Sequence, residues 1–314
     1  MPSARAPAAF THDLHARVLS WYGVHQRDLP WRRVGRSPWG VLVSEVMLQQ
    51  TPVARVLPVW ESWMTAWPTP TDLAAASPGE AIRAWGRLGY PRRALRLHAT
   101  ATAIRDDHAG EVPSQEATLR TLPGIGDYTA AAVAAFAFGH RTTVVDTNVR
   151  RVQARAVTGR ALPAPTLRRA EVDLAASLLP ADRADAALWN VAVMELGALV
   201  CTARSPRCPQ CPVADLCRWR RAGSPVDDGP PRRVQTWAGT DRQCRGVMVQ
   251  VLREADDPVH AETLHSGWTD RAQSERCLDS LVADGLLEPL TDDYFSLPTC
   301  PSTGAGSATV GRSR

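Results

Sequence analysis

Apolar residues recur three and four positions apart through most of the first 220 residues, in alanine-rich runs separated by short Pro/Gly loops. That is the period of helices with one buried face. It predicts helices at about 11–25, 38–50, 53–66, 79–87, 92–107, 115–121, 128–138, 147–157, 166–178 and 183–200. Residues 222–240 (AGSPVDDGPPRRVQTWAGT) break the pattern as a Pro/Gly-rich linker, and 299–314 form a Ser/Gly-rich tail expected to be disordered. Between them the period returns, with helices near 242–254, 260–266 and 271–284. Asp284-Gly285-Leu286 and Asp292-Asp293-Tyr294-Phe295 then suggest a small β-wing.

The expected fold is therefore an all-α body over 1–221 followed by a small α+β domain at 241–298 that resembles a winged helix. A chain of 314 residues, 44% of them hydrophobic, can bury a sizeable core. It shows neither a charged segment leading into an apolar stretch at the N-terminus nor an apolar run able to cross a bilayer. A cytoplasmic protein is expected. Net charge is uneven: residues 241–314 hold 7 Arg against 12 Asp and Glu, or −5, which leaves +9 for 1–240 within the overall +4. Polyanion binding, if present, belongs to the body. All 36 basic residues are arginine, so no lysine amine can act as a nucleophile.

Four cysteines give the sharpest chemical signal. Cys201, Cys208, Cys211 and Cys217 form C-x6-C-x2-C-x5-C, with Pro209 and Pro212 stiffening the middle loop. Four soft thiolates on short, turn-rich connections suit a tetrahedral zinc or a cubane iron–sulfur cluster, and a reducing compartment disfavours the two-disulfide alternative. Cys244, Cys277 and Cys300 are read as ordinary thiols. A second signal is Leu122-Pro123-Gly124-Ile125-Gly126, which lies between two predicted helices and runs into Tyr128-Thr129-Ala130-Ala131. Gly124 and Gly126 let backbone N–H groups approach a phosphate, and the following helix N-terminus favours an anion. This hairpin would grip DNA without reading sequence.

About twenty residues later comes Val144-Val145-Asp146-Thr147-Asn148-Val149-Arg150-Arg151-Val152. Hairpin, aspartate and four-cysteine loop in this order resemble the endonuclease III superfamily of DNA base-excision glycosylases. The resemblance implies a helix-hairpin-helix fold with a 4Fe-4S cluster rather than zinc. It divides the body into a six-helix domain at about 30–142, with hairpin 122–127, and a cluster domain formed by 8–29 and 143–221. Leu29-Pro30-Trp31-Arg32, Val43-Ser44-Glu45-Val46-Met47-Leu48-Gln49-Gln50-Thr51, Gly86-Arg87-Leu88-Gly89-Tyr90, and Trp189-Asn190 through Glu195-Leu196-Gly197-Ala198 resemble the adenine DNA glycosylase (MutY) family within it.

Hydrolysis of an N-glycosidic bond needs a protonated leaving group and a stabilised oxocarbenium-like sugar, which two carboxyls of unlike pKa can supply. Glu45, among Val43, Val46, Met47 and Leu48, is the expected general acid, with burial raising its pKa. Asp146 is expected to begin a helix, where free N–H groups and the dipole keep a carboxylate ionised to stabilise the sugar. The resemblance adds Tyr128 and Asn148 as hydrogen-bonding neighbours, Arg32 as a contact to the extruded adenine, and Gln50, Thr51, Leu88 and Tyr90 as probes of the gap. Thr51-Pro52 reads as an N-cap and first helical residue, which would expose Gln50 and Thr51 at a helix break. Bifunctional relatives carry a lysine at the Tyr128 position, so this chain should be monofunctional and leave an abasic site.

The family resemblance has departures. Pro91, Asp127, Thr147 and Val191 stand where relatives often have Tyr, a basic residue, Gly, and Glu or Gln, and no Nudix-like domain follows the cluster loop. The expected substrate is adenine opposite 8-oxoguanine or guanine in duplex DNA. The protein is expected to be a nucleoid-associated monomer whose acidic C-terminal domain could serve protein interaction. Two alternatives stay open: a mismatch thymine glycosylase of the same superfamily, and a non-catalytic iron–sulfur DNA-binding or redox-sensing protein.

Overall fold

The structure is a computed structural model that describes residues 7–227, 229 and 237–299. The expected tail at 299–314, apart from Thr299 and including Cys300, and most of 228–236 lie outside the described residues. Helices run in the order α1 (Ala8–His25), α2 (Pro38–Met47), α3 (Val53–Ala66), α4 (Pro70–Ala75), α5 (Pro78–Trp85), α6 (Arg92–Asp107), α7 (Glu116–Leu119), α8 (Asp127–Phe138) and α9 (Thr147–Gln153). They continue as α10 (Arg169–Ser177), α11 (Arg183–Leu199) and α12 (Arg218–Arg221). The chain ends with α13 (Asp241–Glu254), β1 (Val259–His260), α14 (Ala261–Ser266), α15 (Arg271–Ala283), β2 (Glu288–Pro289) and β3 (Tyr294–Ser296).

Most helix starts follow from local chemistry. Ser37 accepts from the Gly40 amide at 3.0 Å and Pro38 opens α2, while Asp182 caps α11 through the Asp185 amide at 2.9 Å. Two short helices lie outside the periodic runs, α12 with four residues and α4, a single capping-box turn in which the Thr69 hydroxyl and the Asp72 carboxylate each satisfy the other's backbone. Six residues are too few to show a period, so the Thr-x-x-Asp cap was its only sequence signal. The run expected to continue from 147 to 157 is α9 followed by a widened π turn over Ala154–Thr158.

Three hydrophobic clusters form the core of the described residues, and the two largest flank a cleft. The larger gathers Leu42, Met47, Trp63, Leu73, Trp85, Leu97, Ile104 and Val133, from α2 to α8. The second joins α1, α9 and α11 through Leu14, Val18, Val149, Val152, Trp189 and Leu196. Helix α8 gives Ala130, Val133 and Ala134 to the larger core and Ala131, Ala132, Ala135 and Phe136 to a small third cluster with Val41 and Val144, so it is buried around nearly its whole circumference.

The C-terminal segment has the three helices and the closing two-stranded wing expected from the sequence, and adds strand β1 between the first two helices; β3 lies between β1 and β2 in an antiparallel three-stranded sheet. Strand β1 was absent from the sequence expectation, because two residues carry no alternation. This segment is not a loosely tethered appendage: Met248, Leu252, Leu281 and Leu297 join the same core as α2 and α5. The Gly79 amide donates to the Pro298 carbonyl at 2.7 Å, and a Cβ at residue 79 would meet that oxygen at 2.7 Å. Among the described residues no helix is long and apolar enough to cross a membrane.

Candidate active site

The cleft between the cores has a volume of about 1430 Å³ and is lined by Arg32, Glu45, Gln50, Gly124, Tyr128, Asp146, Asn148 and Val191, among others. Glu45 reaches it from α2, whose residues Trp39 to Met47 are all buried. A helix interior offers a side chain no free backbone N–H, and burial therefore dominates: it pushes the Glu45 carboxyl up to about 7, against smaller opposing effects of the Tyr128 hydroxyl and Arg32. Tyr128, from the first turn of α8, donates its hydroxyl to Glu45 Oε2 at 3.0 Å. Burial and both neighbouring carboxylates hold the phenol well above its ordinary value, so it stays a donor.

Asp146 approaches from the other wall. It is the N-cap of α9, accepting from the Val149 amide at 2.7 Å and from Asn148 Nδ2 at 2.7 Å. The expected cap is present; burial raises the Asp146 pKa from its ordinary value, and the cap bonds act in the opposite direction, favouring the ionised form. Asn148 is fixed from behind. Arg151 donates to Asn148 Oδ1 at 2.7 Å and to the Gly197 carbonyl at 2.7 Å. A Cβ at Gly197 would meet the Asn148 Cβ at 2.6 Å, so glycine lets α11 seat against α9 here.

Arg32 is not a solvated surface residue. Its Nη1 lies 2.9 Å from Glu195 Oε2, with the Glu195 side chain wholly buried. The contact has the distance of an ion pair without the alignment of a hydrogen bond, which leaves Nη1 otherwise unpartnered. Arg27 makes the aligned pair, donating Nε and Nη2 to the two Glu195 oxygens at 2.7 Å each. These arginines hold Glu195 below its ordinary value against burial, which acts the other way. The Arg27–Glu195–Arg32 cluster was not anticipated; Glu195 was noted only as part of a motif, and 163 or more residues separate it from its partners.

The gap-probing residues divide. Gln50 is exposed and adopts φ 57°, and Tyr90 is 38% exposed with φ 51°. The expected exposure of Thr51 is corrected, since it is 7% exposed, and Leu88 is buried as well at 4%. Thr51 does not cap α3, whose N-cap is Pro52 without a side-chain bond. Its hydroxyl instead ties the turn to the Leu88 carbonyl at 3.3 Å. Arg93, also unanticipated, donates to the carbonyls of Val46, Met47 and Gln49 and so satisfies the C-terminal end of α2. Burial lowers Arg93 to about 10.

At the hairpin, Gly124 has φ 78° and a Cβ there would meet the Arg96 side chain at 2.7 Å. Gly126 is the N-cap of α8 with no side-chain cap, which leaves the first amides of this 12-residue helix open to an anion. Asp127 pairs with exposed Arg120 at 2.8 Å.

Comparison with known proteins matches this arrangement. Residues 43–174 match the HhH-GPD superfamily base excision DNA repair protein model, and residues 201–217 match the iron–sulfur binding domain of endonuclease III. The adenine DNA glycosylase of Mycobacterium tuberculosis H37Rv is 54% identical over 299 residues, covering 95% of this chain and 96% of the relative. That of Mycolicibacterium smegmatis is 54% identical, covering 91% and 97%. The chain belongs to the adenine DNA glycosylase family. A solved thermostable thymine-DNA glycosylase is also similar, with a TM-score of 0.60 at 27% identity over 68% of this chain and 98% of that one.

The family's cluster loop fits this chain. Cys201, Cys208, Cys211 and Cys217 line one small pocket with Arg155, Trp219 and Arg220. Burial pushes the Cys211 thiol up to about 11, and the nearby thiols of Cys201, Cys217 and Cys208 add to the rise. Four thiols around one pocket, on residues that match an iron–sulfur binding domain, fit a 4Fe-4S cluster. Arg155 Nη1 lies 3.4 Å from Cys201 Sγ, and its guanidinium stacks 4.9 Å from the Trp219 ring centroid. Such a cation compensates thiolate charge. Arg204, Arg207, Arg218, Arg220 and Arg221 are exposed around the loop.

Proposed function

We propose that the chain is a monofunctional glycosylase that removes adenine opposite 8-oxoguanine or guanine in duplex DNA and leaves an abasic site. The observation that carries this is the pair of unlike carboxyls across one cleft: Glu45, lifted to about 7 inside an apolar helix, and Asp146, held by two cap bonds at a helix start. An acid with a pKa near the working pH is half protonated there and can deliver a proton to the adenine ring nitrogen N7 as the N-glycosidic bond breaks. Tyr128 orients that carboxyl. Asp146, when ionised, faces the developing positive charge on the sugar, with Asn148 and the Val149 amide fixing its oxygens. Glu45, now a carboxylate, can take a proton from the water that completes hydrolysis.

Adenine within a duplex is out of reach of these groups, so the base must be extruded into the cleft. Exposed Gln50 and Tyr90 are placed to occupy the gap, and Arg32 lies against the base pocket. The open amides after Gly126 and the close backbone approach at Gly124 suit a DNA phosphate. The absence of lysine removes the side-chain amine needed for Schiff-base strand cleavage.

Thymine release is the second reading, favoured by the likeness to a thymine-DNA glycosylase structure. One experiment separates them: single-turnover cleavage of A:8-oxoguanine, A:G, A:T and T:G duplexes, with and without alkali, beside Glu45→Gln. Alkali-dependent breaks at adenine in the first two, lost in Glu45→Gln, are expected. Breaks at thymine would move the enzyme to the second reading, and breaks without alkali would remove the monofunctional assignment.

A further inference from the structure

The five arginines between residues 241 and 299 are of two kinds. Arg245 pairs with Asp284, Arg253 donates to the Ile82 carbonyl, Arg271 bridges Glu262 and Glu275, and Arg276 reaches Asp241. Arg242 makes no hydrogen bond or ion pair among the described residues. Its guanidinium lies instead 4.0 Å from the ring centroid of Tyr90 and 5.3 Å from that of Trp237. Stacking on two rings orders a long side chain while leaving its in-plane N–H donors unspent.

The position of this stack matters. Tyr90 follows Leu88 and Gly89, whose carbonyls accept from the Thr51 hydroxyl and from Arg93. Tyr90 is thereby tied to the turn that carries exposed Gln50 at the mouth of the cleft. Trp237, 53% exposed, extends the same edge from the C-terminal segment. With five Arg against 12 Asp and Glu, the −7 charge of residues 241–299 disfavours broad contact with a polyanion, which restricts any contact the segment makes to a cation not already neutralised.

We propose that Arg242, held between Tyr90 and Trp237, is a DNA contact that the C-terminal segment adds to the mouth of the cleft, donating to acceptor oxygens of the duplex beside the gap left by the extruded base. The inference rests on the glycosylase reading for the location of that gap. It gives this segment a part in substrate binding despite its acidic balance.

The test measures binding of A:8-oxoguanine, A:G and A:T duplexes over a range of salt concentrations, for Arg242→Ala and Trp237→Ala placed in the Glu45→Gln background. Cluster absorbance and melting temperature are followed in parallel. A loss of about tenfold in affinity is expected for Arg242→Ala, with a smaller loss for Trp237→Ala. A uniform loss with a salt slope shallower by about one assigns the acceptor to a phosphate, and a loss concentrated on one mispair assigns it to a base edge; both support the contact. Unchanged affinity on all three duplexes, with only the melting temperature lowered, would reduce Arg242 to a docking residue and overturn the proposal. If Arg242→Ala does not fold, the Trp237→Ala result decides in the same way. Adenine release by the wild-type protein, run alongside, separates the two claims: release with Arg242-independent binding sinks this inference alone, and no release with Arg242-dependent binding sinks the glycosylase reading alone.

Discussion

The carboxylate cleft and the cysteine loop are both built for chemistry and are opposite in construction. The loop collects its four sulfurs from 17 consecutive residues, 201–217, so its geometry is set by short turns and by prolines at 209 and 212. The cleft draws Glu45, Tyr128 and Asp146 from two walls belonging to different cores. A filled loop adds stability to the fold, because ligand bonds form only in the native arrangement. The cleft subtracts from it, because Glu45 and Asp146 are buried with too few partners to offset their desolvation. Function and stability are therefore carried by different regions, and substitutions should separate them.

The largest effect should come from the cleft. Glu45→Gln is expected to slow adenine release about 10²- to 10⁴-fold in single turnover, and Asp146→Asn about 10²- to 10³-fold. Glu45→Gln should also be more stable than the wild type at pH 8. The folded Glu45 carboxyl is raised from 4.5 to about 7, so the folded state holds its proton longer than the unfolded chain. Wild-type stability contributed by this group therefore falls as pH rises from about 4.5 to about 7, by on the order of 3 kcal/mol at most. Thermal melts of both proteins at pH 5 and pH 8 check this. A melting difference that does not grow with pH would break the contrast with the loop.

Cys211→Ser should do the reverse. We expect loss of the iron–sulfur visible absorbance and a lower melting temperature, with the cleavage rate per folded, DNA-bound molecule changed by less than about tenfold. A rate collapse as deep as that of Glu45→Gln, in protein shown to bind DNA, would couple the two regions. The pH dependence sharpens the cleft side: the single-turnover rate should fall about tenfold per unit above pH 7, as Glu45 loses the proton it must donate. Tyr128→Phe should have the smallest effect. Removing the hydroxyl takes away the bond that lowers the Glu45 pKa, so the descending limb should move to higher pH while the maximal rate changes by about tenfold or less.

The same contrast explains which features could be read in the sequence. Helix positions followed from period and caps, and the exceptions, α4 and α12, were too short to show a period. The cysteine spacing was explicit because its ligands are neighbours in the chain. Glu45 and Asp146 were recognised from the motifs around them and from the demands of the chemistry. Arg93 under the end of α2, the Arg27–Glu195–Arg32 cluster and the seating of Asn148 against Gly197 had no local signature. Thr51 was placed at the surface because a Thr-Pro break reads as an exposed cap; the turn at Leu88 and the Arg93 guanidinium enclose it instead.

By itself the sequence determined the helical body, the cysteine loop and the lack of any lysine nucleophile, which depend on residue type and near-neighbour spacing, while its family resemblance pointed to Glu45 and Asp146 as the proposed acidic pair. Only the tertiary structure decided how strongly each carboxyl is perturbed. A pKa depends on which distant groups exclude water from a site and which donors reach into it. Only the fold, likewise, brought Arg242 of the acidic segment onto Tyr90, since a cation–aromatic contact across 152 positions has no period, cap or spacing to announce it.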